Sequence, residues 1–239
     1  PPRKATGRLF VELVAILAAV GLIVGGLAVT GMSGTISNDL LFIAGGNTFL
    51  LLLLGALTSF ILGMGMTVTA AYVILAVSLA PALIAGGLDP IGVHLFILYW
   101  SMLSYITPPV ALASYAAAGI SGDNPMGTSV ASFKIGLAAF IVPFMFFYSP
   151  AMLMEGSAMQ ILRVGLTATL GIVLLSGMVQ KWFFGPVNLP QRLVMLVGAM
   201  FLIYGGIYTD IAGLAIGTVL FIMQRKQHGG KGKATASTA

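Results

Sequence analysis

The sequence predicts an all-α integral membrane protein, a helical bundle broken in two places at membrane depth. Three observations carry this. Of 239 residues, 59% are hydrophobic and only 7% are charged, with a mean hydropathy of +1.06. A soluble domain carries roughly 25% charged residues, so this chain cannot coat itself with a water-facing surface; a disordered chain would be poor in apolar residues. The charges also stand far apart: 49 uncharged residues separate Asp39 from Asp89. A helix needs ~20 apolar residues to cross ~30 Å of hydrocarbon, and helices are the open segments that satisfy their own backbone in lipid. Finally, glycines and prolines cluster inside two of the apolar stretches rather than between them.

The charges partition the chain into predicted spans 9–30, 40–62, 67–86, 91–118, 130–149, 161–180, 192–208 and 210–224. The last two are short and tightly joined, as in a compact hairpin or one tilted helix beside an interfacial piece. From Gln224 onward the chain is polar, basic and Gly-rich and reads as a disordered tail. Four regions follow: an N-terminal transmembrane helix and linker (1–39), a core holding both interruptions (40–150), a C-terminal transmembrane extension (151–224) and the basic tail (225–239). Lys and Arg mark the cytoplasmic side of a membrane protein. This puts Arg3, Lys4, Arg8, Lys134, Lys181, Arg192, Arg225, Lys226, Lys231 and Lys233 inside, with a cytoplasmic C-terminus. The 87–90 and 150–160 loops, carrying Asp89 and Glu155, then face outward. The chain opens on Pro-Pro-Arg-Lys without an initiator Met, and the apolar run from Leu13 is too long for a signal peptide and lacks a cleavage-site pattern. It reads as a piece of something longer.

The composition excludes several functions. With no cysteine there is no disulfide, thiolate metal site or thiol nucleophile. Two histidines and six carboxylates leave little for hydrolysis. An intramembrane enzyme would need a nucleophile with a base, or paired metal ligands, and the spans offer only His94. No Walker-type loop is present, which disfavours an ATP-driven pump. The net charge of +5 is mostly a topology signal; no basic face interleaved with polar residues exists for nucleic acid.

The first interruption is Gly63-Met64-Gly65-Met66-Thr67, preceded by Thr58 and Ser59. Glycines are poor helix formers, and neither flank carries the charges, Asn or Asp common in a turn in water. Irregular backbone in lipid is tolerated only where protein or a wet cavity surrounds it. The residues fit either a re-entrant hairpin with a buried tip or two crossings joined by a tight surface turn. The second interruption is Ser104-Tyr105-Ile106-Thr107-Pro108-Pro109-Val110, which makes 91–118 a discontinuous helix. One helix over that range would run about 42 Å, more than the hydrocarbon needs. Each proline lacks an N–H and clashes with the carbonyl four residues back, and Thr107, preceding a proline, is pushed out of helical geometry. The expected product is a cluster of oxygens: freed carbonyls of Ser104 and Tyr105 beside the hydroxyls of Ser104 and Thr107. Such a set suits a hard cation such as Na⁺. Two interrupted helices close in sequence point to a secondary-transporter site, where half-helix ends face substrate and ion.

Other polar residues read more plainly. Asp89 and Asp123 sit in turn settings, His94 reads as an interfacial or packed side chain, and Glu12 and Arg163 lie where they can snorkel. Met64 and Met66 read mainly as packing filler. Tyr99, Trp100 and Tyr105 form an aromatic cluster. No charged side chain falls in the candidate site, which favours Na⁺ over a carboxylate proton relay.

The run from Gly63 to Gly122 resembles the C-terminal half of the large membrane subunit of TRAP transporters, the tripartite ATP-independent periplasmic transporters. The matching elements are the glycine break, the apolar helix with Pro81, the Gly87-Leu88-Asp89-Pro90 turn, and Thr107-Pro108-Pro109-Val110 followed by Ala118-Gly119-Ile120-Ser121-Gly122. The similarity covers roughly residues 40–150. The 155–224 region, with Phe183-Phe184-Gly185-Pro186 and Leu189-Pro190-Gln191-Arg192, resembles the extension of fused permeases that work with TAXI-type binding proteins. The resemblance implies one half of an inverted-repeat, elevator-type importer in the bacterial inner membrane, coupled to Na⁺ and needing no other cofactor. A periplasmic solute-binding protein would deliver a carboxylate-bearing solute, and the small membrane subunit and the remaining half of the permease would complete the unit within membrane lipid. Carried over, Gly63, Met64, Gly65 and Thr67 form the hairpin tip, faced by Ser104, Thr107 and Pro108. Gly63, Ser104, Tyr105 and Thr107 would hold Na⁺, and the tip with Pro108 would wall the solute. The contrasting expectation is an assembly subunit without a transport site of its own.

Overall fold

The computed structural model describes residues 31–228 apart from Gly65, together with Ala18, Leu22, Gly25, Gly26, Val29 and Thr30. The predicted 9–30 span, Glu12 and the tail beyond His228 therefore fall wholly or mostly outside the described residues. The fold is helical, and among the described residues β pairing is limited to a bridge between Trp182 and Pro186. The chain packs as two units, Pro1–Ser129 and Val130–Ala239.

The first unit contains α1 (Met32–Ala44), α2 (Thr48–Gly63), α3 (Val68–Ser78), α4 (Ala80–Ala85), α5 (Pro90–Leu103), a 3₁₀ turn at Ser104–Ile106, and α6 (Leu112–Ser121). The predicted 40–62 span is thus two helices. Gly45 and Gly46 stop α1 with φ of 57° and 77°, conformations glycine adopts cheaply, and the Asn47 side chain starts α2 by accepting the Leu50 N–H at 3.1 Å. The 67–86 span is α3 and α4, which meet at Leu79 just before Ala80-Pro81. Asp89 begins α5 by accepting the Gly92 N–H at 2.8 Å, with Pro90 at the first helical position. The core of this unit is Leu52 of α2, Leu75 of α3, Leu79, Leu83 of α4, and Val93, Phe96 and Ile97 of α5.

From the boundary onward come α7 (Pro125–Gly136), a 3₁₀ turn at Leu137–Phe140, α8 (Val142–Tyr148), a 3₁₀ turn at Pro150–Leu153, α9 (Ala158–Gln180), α10 (Leu189–Tyr204) and α11 (Ile207–His228). By length and apolar composition, Pro125–Tyr148, Ala158–Gln180 and Ile207–Lys226 can each cross a membrane. A capping box of Ser157 and Gln160 starts α9. Leu162, Leu166, Leu170 and Val173 make an exposed apolar stripe along it, a face suited to hydrocarbon rather than water.

The last two spans are resolved as a helical hairpin, α10 and α11 turning at Gly205-Gly206. The expected tail from Gln224 is corrected for its first turn: α11 continues to His228. Gln224 is buried and its Nε2 donates to Gln191 Oε1 at 3.1 Å, so a polar residue that ended the hydropathy run is held inside by a partner 33 positions away. Helices in lipid gain little from apolar contact alone and associate through close backbone approach at small residues. Here Gly171 of α9, Gly198 and Ala199 of α10, and Gly213 of α11 supply those points. A Cβ on Gly213 would lie 2.6 Å from Leu202 Cγ and 3.0 Å from the Gly198 carbonyl oxygen; one on Gly198 would lie 2.8 Å from Ile216 Cγ2. Gly213→Val should destabilise the bundle by ~1–3 kcal/mol, the usual cost of over-packing. Gly165→Ala on α9, where a Cβ meets nothing within 4 Å, should not. Thermal unfolding in detergent distinguishes the two.

Candidate functional site

Both interruptions exist. α2 ends at Gly63; Met64 is extended (φ −69°, ψ 122°); and Thr67, also extended, caps α3, its hydroxyl oxygen accepting the Ala70 N–H at 3.3 Å. The chain at the second break tightens into the 3₁₀ turn, becomes extended at Thr107 (φ −114°, ψ 129°), passes a cis Pro108–Pro109 bond, and re-enters a helix after Ala111 at φ 32°.

The two breaks adjoin. Gly63 is buried against α5: a Cβ there would come within 2.7 Å of the Ser101 carbonyl oxygen and 2.8 Å of its Cα. Only a glycine permits this approach. One turn on, the Tyr105 hydroxyl donates to the Met66 carbonyl, joining the broken helix directly to the tip between α2 and α3. One turn back, the Phe60 and Trp100 rings meet edge-on at 6.4 Å, and Trp100 also packs on Phe96. Trp100, with Phe60 and Phe96, is therefore a brace beside the breaks; Tyr99, expected in the same cluster, is exposed instead.

The oxygen inventory differs in part from expectation. The Ser104 carbonyl is not freed, because the 3₁₀ turn lets it accept the Thr107 N–H at 3.3 Å. The Tyr105 carbonyl has only Pro108 and Pro109 three and four residues ahead, and neither has an N–H to offer. The Thr107 carbonyl accepts from Ala111 at 3.2 Å. The hydroxyls of Ser101, Ser104 and Thr107 each donate to a preceding carbonyl, of Ile97, Ser101 and Leu103, at 2.6, 2.6 and 2.7 Å. With its proton so directed, each oxygen keeps lone pairs as acceptors. All three residues are buried.

Of the residues read from sequence, Gly63 lies against Ser101, whose carbonyl also accepts the Ser104 hydroxyl, and Tyr105 is tied to the tip through Met66; Thr107 is buried and bonds within the broken helix itself. Met64 and Pro108 are half-buried, Thr67 is exposed and engaged in capping α3, and Gly65 lies outside the described residues. Sequence reasoning missed Ser101, whose signal was its three-residue spacing from Ser104. It named Ser59 only as a flank of the first break and passed over Ser114; both hydroxyls are buried and have no hydrogen-bond partner among the described residues. Ser59 lies one turn before Gly63 and Ser114 in the first turn of α6. Among the described residues no group of three His, Asp or Glu is placed to hold a metal. A cation at this junction would thus meet neutral oxygens, which suits a hard monovalent ion better than a divalent one. His94 is a packed residue: its Nδ1 lies 3.1 Å from the Tyr72 hydroxyl, and the rings meet edge-on. Asp123 is a turn former, accepting the Asn124 N–H at 2.8 Å.

The model of the family described as Tripartite ATP-independent periplasmic transporter, DctM component, matches residues 4–161. The chain belongs to that family. No curated protein and no solved structure gives a significant match. DctM-family membership makes the chain a permease component of a tripartite secondary transporter and a multi-pass membrane protein. The match contains both breaks and ends at Ile161, just inside α9. Most of α9 and all of α10 and α11 thus lie beyond the shared DctM region.

Proposed function

We propose that this DctM-family chain imports a carboxylate-bearing solute coupled to Na⁺, with the junction of the two breaks as its ion and solute site. The observation that carries the reading is the junction itself: Gly63 against the Ser101 backbone and the Tyr105 hydroxyl on the Met66 carbonyl. In this reading Gly63, Ser104, Tyr105 and Thr107 hold Na⁺, and Met64, Gly65, Thr67 and Pro108 wall the solute. An anionic solute would then be met by backbone N–H groups, helix ends and the bound cation rather than by a charged side chain. The segment between α2 and α3 is a re-entrant hairpin; the shortness of α2, 16 residues or about 24 Å, supports a tip within the ~30 Å hydrocarbon. A periplasmic solute-binding protein, the small subunit and a second half-permease complete an elevator-type machine in the inner membrane. The C-terminus is cytoplasmic, and α9 to α11 correspond to the extension of TAXI-type permeases.

Thr107→Ala tests the ion reading. The complete transporter in proteoliposomes, driven by a Na⁺ gradient, should lose about tenfold or more in uptake on losing this one ligand. The loss should be partly recovered at high Na⁺, as expected for about 1.4 kcal/mol of lost affinity. Uptake that is unchanged, or reduced equally at every Na⁺ concentration, refutes the assignment; unchanged uptake would favour an assembly role for the chain.

A further inference from the structure

The second unit holds an apolar crevice of about 320 Å³ between α9 and α11, floored by Leu174 and Leu202 and bounded by Gly213, Gly217, Phe184 and Phe221. Its one polar wall group, Thr218, is already engaged, donating to the Leu214 carbonyl at 2.7 Å. The crevice exists because Gly213 and Gly217 leave α11 without side chains over two consecutive turns, and because the loop after α9 folds back so that Phe184 meets Phe221 edge-on at 5.0 Å. Both flanking helices are long and apolar enough to span a membrane, so its mouth lies along hydrocarbon.

One end of this crevice is strongly basic. Lys181 ends α9, Arg192 lies in the first turn of α10, and Arg225 and Lys226 follow Phe221 by about one turn of α11. Lys181, Arg225 and Lys226 are exposed. The unit has just two carboxylates, Glu155 and Asp210, and both sit at the other end, before α9 and in the first turn of α11. α9 spans 23 residues, about 34 Å, between Glu155 and Lys181. A dry slot shaped by glycines, opening into lipid beneath an uncompensated cationic rim, matches one chemistry. We propose that the crevice seats an acyl chain of an anionic phospholipid, whose phosphate meets Lys181, Arg225 and Lys226. Basic clusters at membrane ends attract anionic headgroups in this manner, and the apolar slot adds a chain site that a charged surface alone lacks.

Trp182, 60% exposed and adjacent to Phe183 and Phe184, is a built-in reporter. With Trp100→Phe in the full chain it is the only tryptophan. Reconstituted at equal low mole fraction of acyl-brominated phosphatidylglycerol or phosphatidylcholine, Trp182 should show about fivefold tighter quenching by the anionic lipid, the factor one engaged basic group supplies. Replacing all three rim cations, Lys181→Gln with Arg225→Gln and Lys226→Gln, should bring the two lipids near parity. Gly217→Leu fills the slot, since a Cβ there meets only Leu174 Cδ1 at an ordinary 3.5 Å; it should weaken quenching by the anionic lipid while leaving the thermal transition in place. Equal quenching by both lipids, or a preference that survives replacement of all three rim cations, overturns the proposal. So does protection from both lipids accompanied by a cross-linked dimer, which would assign the crevice to a second copy of the chain.

Discussion

Gly63→Leu should abolish uptake by the assembled transporter, and Gly63→Ala should already remove most of it. The reason is geometric. A Cβ at this position meets the Ser101 carbonyl oxygen at 2.7 Å and its Cα at 2.8 Å, and both are main-chain atoms that cannot rotate away. Relief requires α2 to move off α5 by several tenths of an ångström, and that movement pulls the Met66 carbonyl away from the Tyr105 hydroxyl. Over-packing costs ~1–3 kcal/mol, roughly a fivefold to more than hundredfold shift against the joined arrangement. Gly55 provides the control on the same helix. A Cβ there meets Leu83 Cδ2 at 3.1 Å, a side-chain methyl that can give, so Gly55→Ala should leave uptake within about twofold. Tyr105→Phe should fall between them, because a single hydrogen bond contributes ~0.5–1.5 kcal/mol net. Uptake is measured with membrane insertion matched across variants. Wild-type uptake by Gly63→Ala would mean that the closeness of the breaks is incidental to transport.

Both breaks were legible in the sequence because each is caused locally. Two glycines one residue apart weaken a helix wherever they fall, and tandem prolines remove donors whatever surrounds them. Their adjacency was not legible, since it depends on α2 and α5 lying side by side, with Phe60 at Trp100, Gly63 at Ser101 and Met66 at Tyr105. The fate of the Ser104 carbonyl was misjudged because the proline argument counts lost i+4 donors and overlooks the i+3 donor of a 3₁₀ turn. The Gly45-Gly46-Asn47 stop was visible as a glycine pair and an N-cap residue, but a reading based on gaps between charges passes over an uncharged turn. At the other end of the chain, hydropathy saw Gln224 and Asp210 as helix limits. Each lies inside α11 because of a partner far off in sequence, Gln191 for the one and Arg163 for the other.

Arg163→Met should destabilise the second unit more than Asp210→Leu, and combining the two should be milder than Arg163→Met alone. Arg163 Nη1 lies 3.4 Å from Asp210 Oδ2, with side-chain exposures of 31% and 5%, and this is the one ion pair among the described residues. Arg163, read from sequence as a snorkelling residue, is thus tied between helices: its Nη2 also donates to the Gly205 carbonyl at 3.3 Å, holding the α10–α11 turn against α9. Removing the arginine strands a carboxylate that is almost fully buried, and breaking a buried pair in this way costs about 3–5 kcal/mol. Removing the aspartate leaves a guanidinium that still bonds Gly205 and lines an open polar pocket with Glu155 and Gln160. There it can reach water, so the cost should be nearer 1–2 kcal/mol. The double replacement strands neither group, and a double-mutant cycle on thermal unfolding reads the coupling. Equal losses from the two single variants, or additive losses in the double, would show that the pair does not hold the hairpin. Because both residues lie beyond the region shared with the DctM family, the expected effect on uptake is a loss of folded protein only. A defect that persists in Arg163→Met at matched folded protein would instead place the pair in the transport cycle.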